Sequence, residues 1–195
     1  MASDRAPSGS AARILEAAHH CFSHYGFHKT AMEDIARQAG VSRGSVYRHF
    51  PDKDSLFRAV SQEQTVAFLD EMRRRTARIT DLGGQIDEIA RMTVEFLRDD
   101  PLNAAMARTD PDAFVRAITT GGLELLEMAT DAVVPLVEAA VRRGEVRPDL
   151  DPRRAAEWIT RIVFSLVSTP SVTFDRDDPA QRQAFLREFL VPGLT

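Results

Sequence analysis

The sequence predicts an all-α protein, and three observations support this prediction. Apolar residues recur at helical spacing along most of the 195 residues, and alternating β-branched runs bounded by tight turns are absent. Glycines and small polar residues punctuate the helical stretches where helices usually begin and end. The composition, 44% apolar and 28% charged, is typical of a globular chain, and this length is enough for one or two small domains.

Cysteine content and the lack of targeting or membrane-spanning segments indicate the cellular compartment. The single cysteine, Cys21, excludes an internal disulfide, fits a reducing compartment, and is most simply a small core residue. The first ten residues have no apolar run typical of a signal peptide. The longest uncharged apolar stretch, 162–174, is too short to span a bilayer. We therefore expect a cytoplasmic protein without a membrane partner.

Catalysis and cofactor binding are not indicated by any motif. His19 and His20 are adjacent, so on a helix their side chains point about 100° apart, which is a poor arrangement for metal chelation. No nucleophile motif is present, and no glycine-rich phosphate loop precedes a helix. The sequence predicts no enzyme, no cofactor and no metal.

Charge is distributed unevenly along the chain. The net charge is −4, but residues 1–60 carry 8 basic and 6 acidic side chains, whereas residues 61–195 carry 17 and 23. All five histidines lie within the first fifty residues. This mild asymmetry favours the N-terminal end for any surface that binds nucleic acid.

The N-terminal quarter predicts three short helices after a disordered tail over 1–10. The first helix, "ARILEAAHHCFSHYG", ends at Gly26. The second, "TAMEDIARQAG", opens with a capping box between Thr30 and Glu33. The third follows the turn "AGVS" with Ser42 as its N-cap, and Asp52 can cap a longer helix over 53–78.

This order of helices is that of a helix-turn-helix, in which the second helix of the pair enters the major groove of DNA. At about 100° per residue, Val46 and Phe50 share one face and should point inward. The opposite face then carries Gly44 and Arg48, flanked by Ser45 and Tyr47. Gly44 weakens a helix, which is easier to understand if the backbone must approach a partner closely.

The segment 13–57 resembles the DNA-binding domain of the TetR family of bacterial transcriptional regulators. The matching pieces are "RILEAA", "AGVSRGSVYRHF" and "DKDSLF", together with the spacing of "CF", "YG" and "IA". The resemblance implies a DNA-binding domain over 11–51 and a helical domain for effector binding and dimerisation over 52–195. Glu33 departs from members that have a basic residue at this position.

The resemblance also implies roles for individual residues. Arg43, Gly44 and Ser45 match positions that read bases, and Thr30, Tyr47, His49 and Lys53 match positions that contact phosphates. Ser42 and Arg48 complete the predicted DNA-binding set. Each has a simpler alternative: Tyr47 and His49 could be packing residues at the edge of the core, and the arginines could be solvated surface charges.

The implied function is that of a sequence-specific DNA-binding regulator, most simply a repressor that a small-molecule effector releases from its operator. The alternative is an activator or architectural protein that binds DNA without an effector. Binding that is limited by salt and insensitive to sequence would favour this alternative.

The C-terminal part predicts helices over 84–98, 103–108, 111–119, 123–143, 152–169 and 179–190. Large apolar side chains there could line a pocket for an apolar or amphipathic effector, or could equally be core residues: Met92, Phe96, Met106, Phe114, Leu125, Met128 and Trp158.

Dimerisation is predicted from the last two helices, because the segment over 152–169 is apolar around much of its circumference and needs cover on more than one side. The related family pairs these helices around a two-fold axis, which implies an isologous homodimer. The alternative is that these helices are buried within one chain. The predicted interface consists of Ala155, Ile159, Ile162, Val163, Leu166, Phe185, Leu186 and Phe189.

Overall fold

A computed structural model of the chain describes residues 9–109, 123–175 and 177–194. Within these ranges the regular structure is helical and no strand occurs, so the predicted fold class is confirmed. The helix predicted over 111–119, with Phe114, lies outside the described residues. The α-helices are α1 Ser10–Tyr25, α2 Met32–Ala39, α3 Arg43–His49, α4 Lys53–Thr76, α5 Leu82–Asp99, α6 Pro101–Thr109, α7 Leu123–Arg143, α8 Pro152–Ser168 and α9 Pro179–Phe185.

The described residues form two compact units. The first comprises residues 9–66 and 99–109, and the second comprises residues 67–98 together with the described residues from 123 onward. The boundary at 66 and 67 falls inside α4, which is one continuous helix. The sequence-based division after residue 51 rested on the motif alone and stays a prediction.

The first unit is built around the buried face of α1. Ile14, Ala18 and Phe22 are fully buried and pack with Ile35 of α2 and Val46 of α3. Their spacing of three and four residues places them on one side of α1, as the sequence pattern predicts. Cys21 lies in the same core, and burial raises the pKa of its thiol.

Two glycines end the first two helices with positive φ angles. Gly26 has φ of 84° after α1, and Gly40 has φ of 61° after α2, a left-handed conformation that other residues rarely adopt. Arg13 of α1 also donates to the carbonyls of Ala39 and Gly40 at the end of α2. The turn into α3 is therefore fixed from both sides.

The predicted capping box at Thr30 is wrong. The N-cap of α2 is Ala31, whose N–H donates to the Asp34 carboxylate at 3.1 Å. Thr30 is buried, and its hydroxyl donates to the carbonyl of Gly26 at 2.8 Å. The carbonyl oxygen of Cys21 lies 3.2 Å from the same hydroxyl. Its side chain turns inward because the end of α1 leaves buried carbonyls that need a donor.

The second unit has a separate core formed by α5, α7, α8 and the second half of α4. α7 packs along α8, and residues such as Ile86, Val137 and Ile159 are fully buried. Thr160 is also buried, and its hydroxyl donates to the carbonyl of Ala156 one turn earlier. The described helices are each too short or too polar to cross a membrane.

The helix predicted over 179–190 is α-helical only in its first part. Asp178 accepts hydrogen bonds from the N–H groups of Ala180 and Gln181, which caps α9. α9 then passes into a π-helical turn, Leu186–Leu190, and a short 3₁₀ turn, Val191–Gly193.

Candidate nucleic-acid interface

The exposed face of α3 carries most of the predicted DNA-binding residues. Val46 is fully buried and Phe50 half-buried, so the opposite side of the helix faces solvent. Arg43, Gly44, Tyr47, Arg48 and His49 are exposed on it, and Ser45 is half-buried. The predicted inward and outward faces of this helix are therefore confirmed.

Among the described residues, nothing near Gly44 requires a glycine. A Cβ atom built at this position meets none of their atoms within 4 Å, and its backbone conformation is an ordinary helical one. Glycine weakens the helix by about 1 kcal/mol relative to alanine. Close approach of a partner at Gly44 therefore stays a prediction.

Arg43, the first residue of α3, contacts two other side chains. Its Nη1 lies 2.6 Å from the Oε1 of Glu33 on α2, and its guanidinium carbon lies 5.3 Å from the centre of the Tyr47 ring. A hydrogen bond to Tyr47, followed by the charge of Glu33, raises the pKa of Arg43 above its ordinary value. The sequence pattern placed Glu33 in a capping box with Thr30 and did not indicate its contact with Arg43.

Two further side chains fix the ends of α3. The Ser42 hydroxyl accepts a hydrogen bond from the Ser45 N–H at 3.2 Å, which confirms the predicted N-cap. At the other end, the His49 Nε2 lies 2.6 Å from the Ser10 hydroxyl. No local sequence signal identifies this second contact, because the two residues are 39 positions apart.

Thr30 and Lys53 point into the first unit rather than away from it. The Lys53 ammonium donates to the carbonyls of Phe27 at 2.8 Å and Thr30 at 3.0 Å, and it lies 4.4 Å from the centre of the Phe27 ring. These contacts tie the start of α4 to the loop before α2. Phosphate contacts by Thr30 and Lys53, which the resemblance implies, stay predictions.

The described residues of the predicted effector pocket lie in both units, and a cavity that they share stays a prediction. Met92 and Met106 are buried, but Met106 belongs to the first unit and Met92 to the second. Phe96 stacks on Phe68 with ring centres 4.7 Å apart, and Met128 packs against the second core. Leu125 is half-buried, and the exposed ring of Trp158 lies against Gly193.

Two depressions on the second unit have linings that combine charged and uncharged residues. One, of about 530 Å³, lies along the end of α4 and includes Arg74, Arg78 and Glu88. The other, of about 470 Å³, lies between α5 and α9 and includes Asp87 and the buried Arg182. Burial lowers the pKa of Arg182. None of the predicted pocket residues lines either depression.

Most of the predicted dimer interface is covered within the chain. α7 packs along α8 and provides cover from within the chain, which was the alternative to a dimer. Ile162 and Phe185 are half-buried, and Phe189 is 59% exposed. Five of the named residues are buried in the chain's own core: Ala155, Ile159, Val163, Leu166 and Leu186.

Comparison with known proteins agrees with the geometry of α2 and α3. Residues 14–60 match the model of the bacterial regulatory proteins of the TetR family. An HTH-type transcriptional repressor of Mycobacterium tuberculosis is 31% identical over 143 residues, which cover 71% of this chain and 72% of that protein. The A-factor receptor protein of Streptomyces griseus is 30% identical over 93% of this chain and 62% of the receptor.

A solved structure extends the likeness to the whole fold. The TetR family repressor AlkX from a Dietzia strain, implicated in n-alkane biodegradation, superimposes with a TM-score of 0.69 at 24% identity, covering 96% of this chain and 97% of that one. The fold and the α2–α3 geometry thus define a helix-turn-helix transcriptional regulator. The chain belongs to the TetR family of bacterial regulatory proteins.

Proposed function

We propose that this regulator is a repressor that binds operator DNA through α3 and leaves it when a small-molecule effector binds. The observation that carries the proposal is the exposed face of α3, where Arg43, Gly44, Tyr47 and Arg48 face solvent. Gly44 leaves room for close approach, and arginine can donate two hydrogen bonds to a guanine edge. One of its relatives is a transcriptional repressor, which supports repression rather than activation.

Selection from random duplex DNA with the purified chain tests this proposal. We expect one enriched sequence to bind at least a thousandfold tighter than a shuffled control, a ratio typical of specific regulators. The variant Arg43→Ala should reduce discrimination at one base pair roughly tenfold. Arg58→Ala, which removes an exposed arginine of α4, is the matched control and should keep this discrimination.

If the selection enriches no sequence, the proposed binding to an operator is wrong. Binding that is equal on all sequences and weakens steeply with salt would instead favour the architectural alternative.

The effector is proposed to be apolar or amphipathic and to bind the second unit. A receptor among the relatives supports a ligand-controlled member of the family. An effector that binds the DNA-free state 100-fold more tightly contributes about 2.7 kcal/mol of coupling, which is enough to empty many operators. Fatty acids and acyl thioesters can be screened for release of the selected duplex. If a compound binds the protein but leaves operator affinity unchanged, it is not the effector.

We propose that the chain acts as a homodimer through α8 and the segment 179–190. Apolar side chains that remain exposed or half-exposed there support an interface of moderate size: Trp158, Ile162, Phe185 and Phe189. Ile162→Asp and Phe189→Asp should halve the mass measured by sedimentation and weaken operator binding. Val66→Asp, at an exposed apolar residue of α4, should keep the mass of the wild type. A monomeric wild type at micromolar concentration would contradict the proposal.

A further inference from the structure

We propose that Glu33 is a specificity-determining residue, which holds Arg43 in one orientation and so narrows the choice of base that Arg43 contacts. The inference rests on the proposed binding of DNA by α3. It assigns a function to a residue of α2 that does not itself need to contact a base.

The contact geometry supports this role. The Arg43 guanidinium is held from two directions, by the Glu33 carboxylate at 2.6 Å and by the face of the Tyr47 ring at 5.3 Å. Glu33 belongs to α2, whereas Arg43 and Tyr47 belong to α3. The backbone between the two helices is fixed by Gly40 and by the Ser42 cap, so the carboxylate is presented from a defined position.

Without partners, the flexible side chain of an arginine at this position has no fixed orientation. Its long side chain loses rotamer entropy when it is fixed in one geometry. Bidentate recognition of guanine requires the planar guanidinium in one orientation, and a carboxylate that binds one edge leaves the other edge for the base. Glu33 and Tyr47 together restrict the side chain before DNA arrives, so less entropy is lost on binding.

Stabilisation of the fold does not explain the pair. The side chains of Arg43 and Glu33 are 63% and 48% exposed, and ion pairs between exposed side chains contribute little to stability. A carboxylate beside the helix that meets DNA is also repelled by phosphates. Glu33 should therefore weaken binding to every sequence while it sharpens the preference for one, which is how a repulsive element increases specificity.

This pair of opposite effects gives Glu33→Gln a distinctive signature. On shuffled DNA the variant should bind about threefold more tightly, because one charge near the phosphates is removed. At the base pair that Arg43 reads, discrimination should fall at least threefold, a part of what one bidentate arginine provides. The thermal midpoint should stay at the wild-type value. Glu16→Gln, which removes an exposed acidic charge from α1, should leave base discrimination unchanged.

A double-mutant cycle then tests whether Glu33 acts through Arg43. In the Arg43→Ala background, Glu33→Gln should have no further effect on discrimination, yet it should still tighten binding to shuffled DNA. Unchanged discrimination in the Glu33→Gln single variant would overturn the inference and leave Glu33 as a repulsive charge alone. Loss of discrimination that persists in the Arg43→Ala background would also overturn it. A wild type without sequence preference would instead show that the proposed function has failed.

Discussion

The two units differ in how the side chains of their candidate sites are brought together. In the first unit, most of the predicted DNA-facing residues lie on α3, which has seven residues. The predicted pocket residues that lie in the second unit come from several helices, and Met92 and Met128 are part of its core packing. Residues on one short helix have directions fixed by the helical period, whereas the grouping of distant apolar residues depends on how the helices pack.

The largest expected effect is on the free energy of unfolding, and it compares a buried and a half-buried residue of α8. Ile159 is fully buried, and Ile159→Ala should lower the free energy of unfolding by about 2–5 kcal/mol at any protein concentration. Ile162→Ala, one turn along, should have a smaller effect that grows with protein concentration if Ile162 lies in a dimer interface. Chemical denaturation at several concentrations separates the two. Equal, concentration-independent losses would assign both residues to the core.

Lys53 tests whether a residue matched to a DNA contact instead stabilises the first unit. Lys53→Ala removes two hydrogen bonds from a charged donor, so the free energy of unfolding should fall by about 1.5–3 kcal/mol. The salt dependence of DNA binding should stay unchanged. Lys29→Ala, at an exposed lysine of the same unit, is the control for charge. A salt slope that falls by about one with unchanged stability would show a phosphate contact instead.

Ser42 tests how far the interface depends on local capping. Ser42→Ala removes the acceptor for the Ser45 N–H, and the loss of an N-cap lowers stability by about 1 kcal/mol. Ser42→Asp keeps an acceptor and should keep most of this stability. Because α3 is short, fraying at its start should also weaken DNA binding by the alanine variant. Full DNA affinity in a destabilised alanine variant would separate the cap from the interface.

The smallest effect is a pH dependence at the start of α4. A hydrogen bond from the Ser55 N–H to the Asp52 carboxylate at 2.6 Å holds the pKa of Asp52 below its ordinary value of 3.8. The stabilisation by this carboxylate is therefore present above about pH 3.8 and is lost as the pH falls through the lower folded-state pKa. Asp52→Asn keeps an N-cap acceptor without a charge. The stability of the wild type should fall relative to this variant on acidification, and a constant difference from pH 6 to pH 3 would contradict the assignment.

Short-range pattern was sufficient for the fold class, the helix-turn-helix and the outward face of α3. The glycines at 26 and 40 marked the ends of two helices, and Ser42 marked the start of a third. These features depend on residues within a few positions of one another. Even at this range Thr30 was misassigned, because a hydroxyl before a helix can cap it or bond to buried carbonyls, and only the packed structure distinguishes these roles.

The sequence by itself thus determined that α8 has a wide apolar band, but not what covers it. Tertiary structure decided that α7 packs along α8 and that Ile159 and Val163 are buried in the chain's own core. It also decided that Lys53 turns towards the carbonyls of Phe27 and Thr30, and that Glu33 meets Arg43 across two helices. The physical reason is the same in each case. Helical period fixes the direction of a side chain, whereas its partner is fixed by which distant segment packs beside it, and burial and hydrogen bonding across that contact select the arrangement.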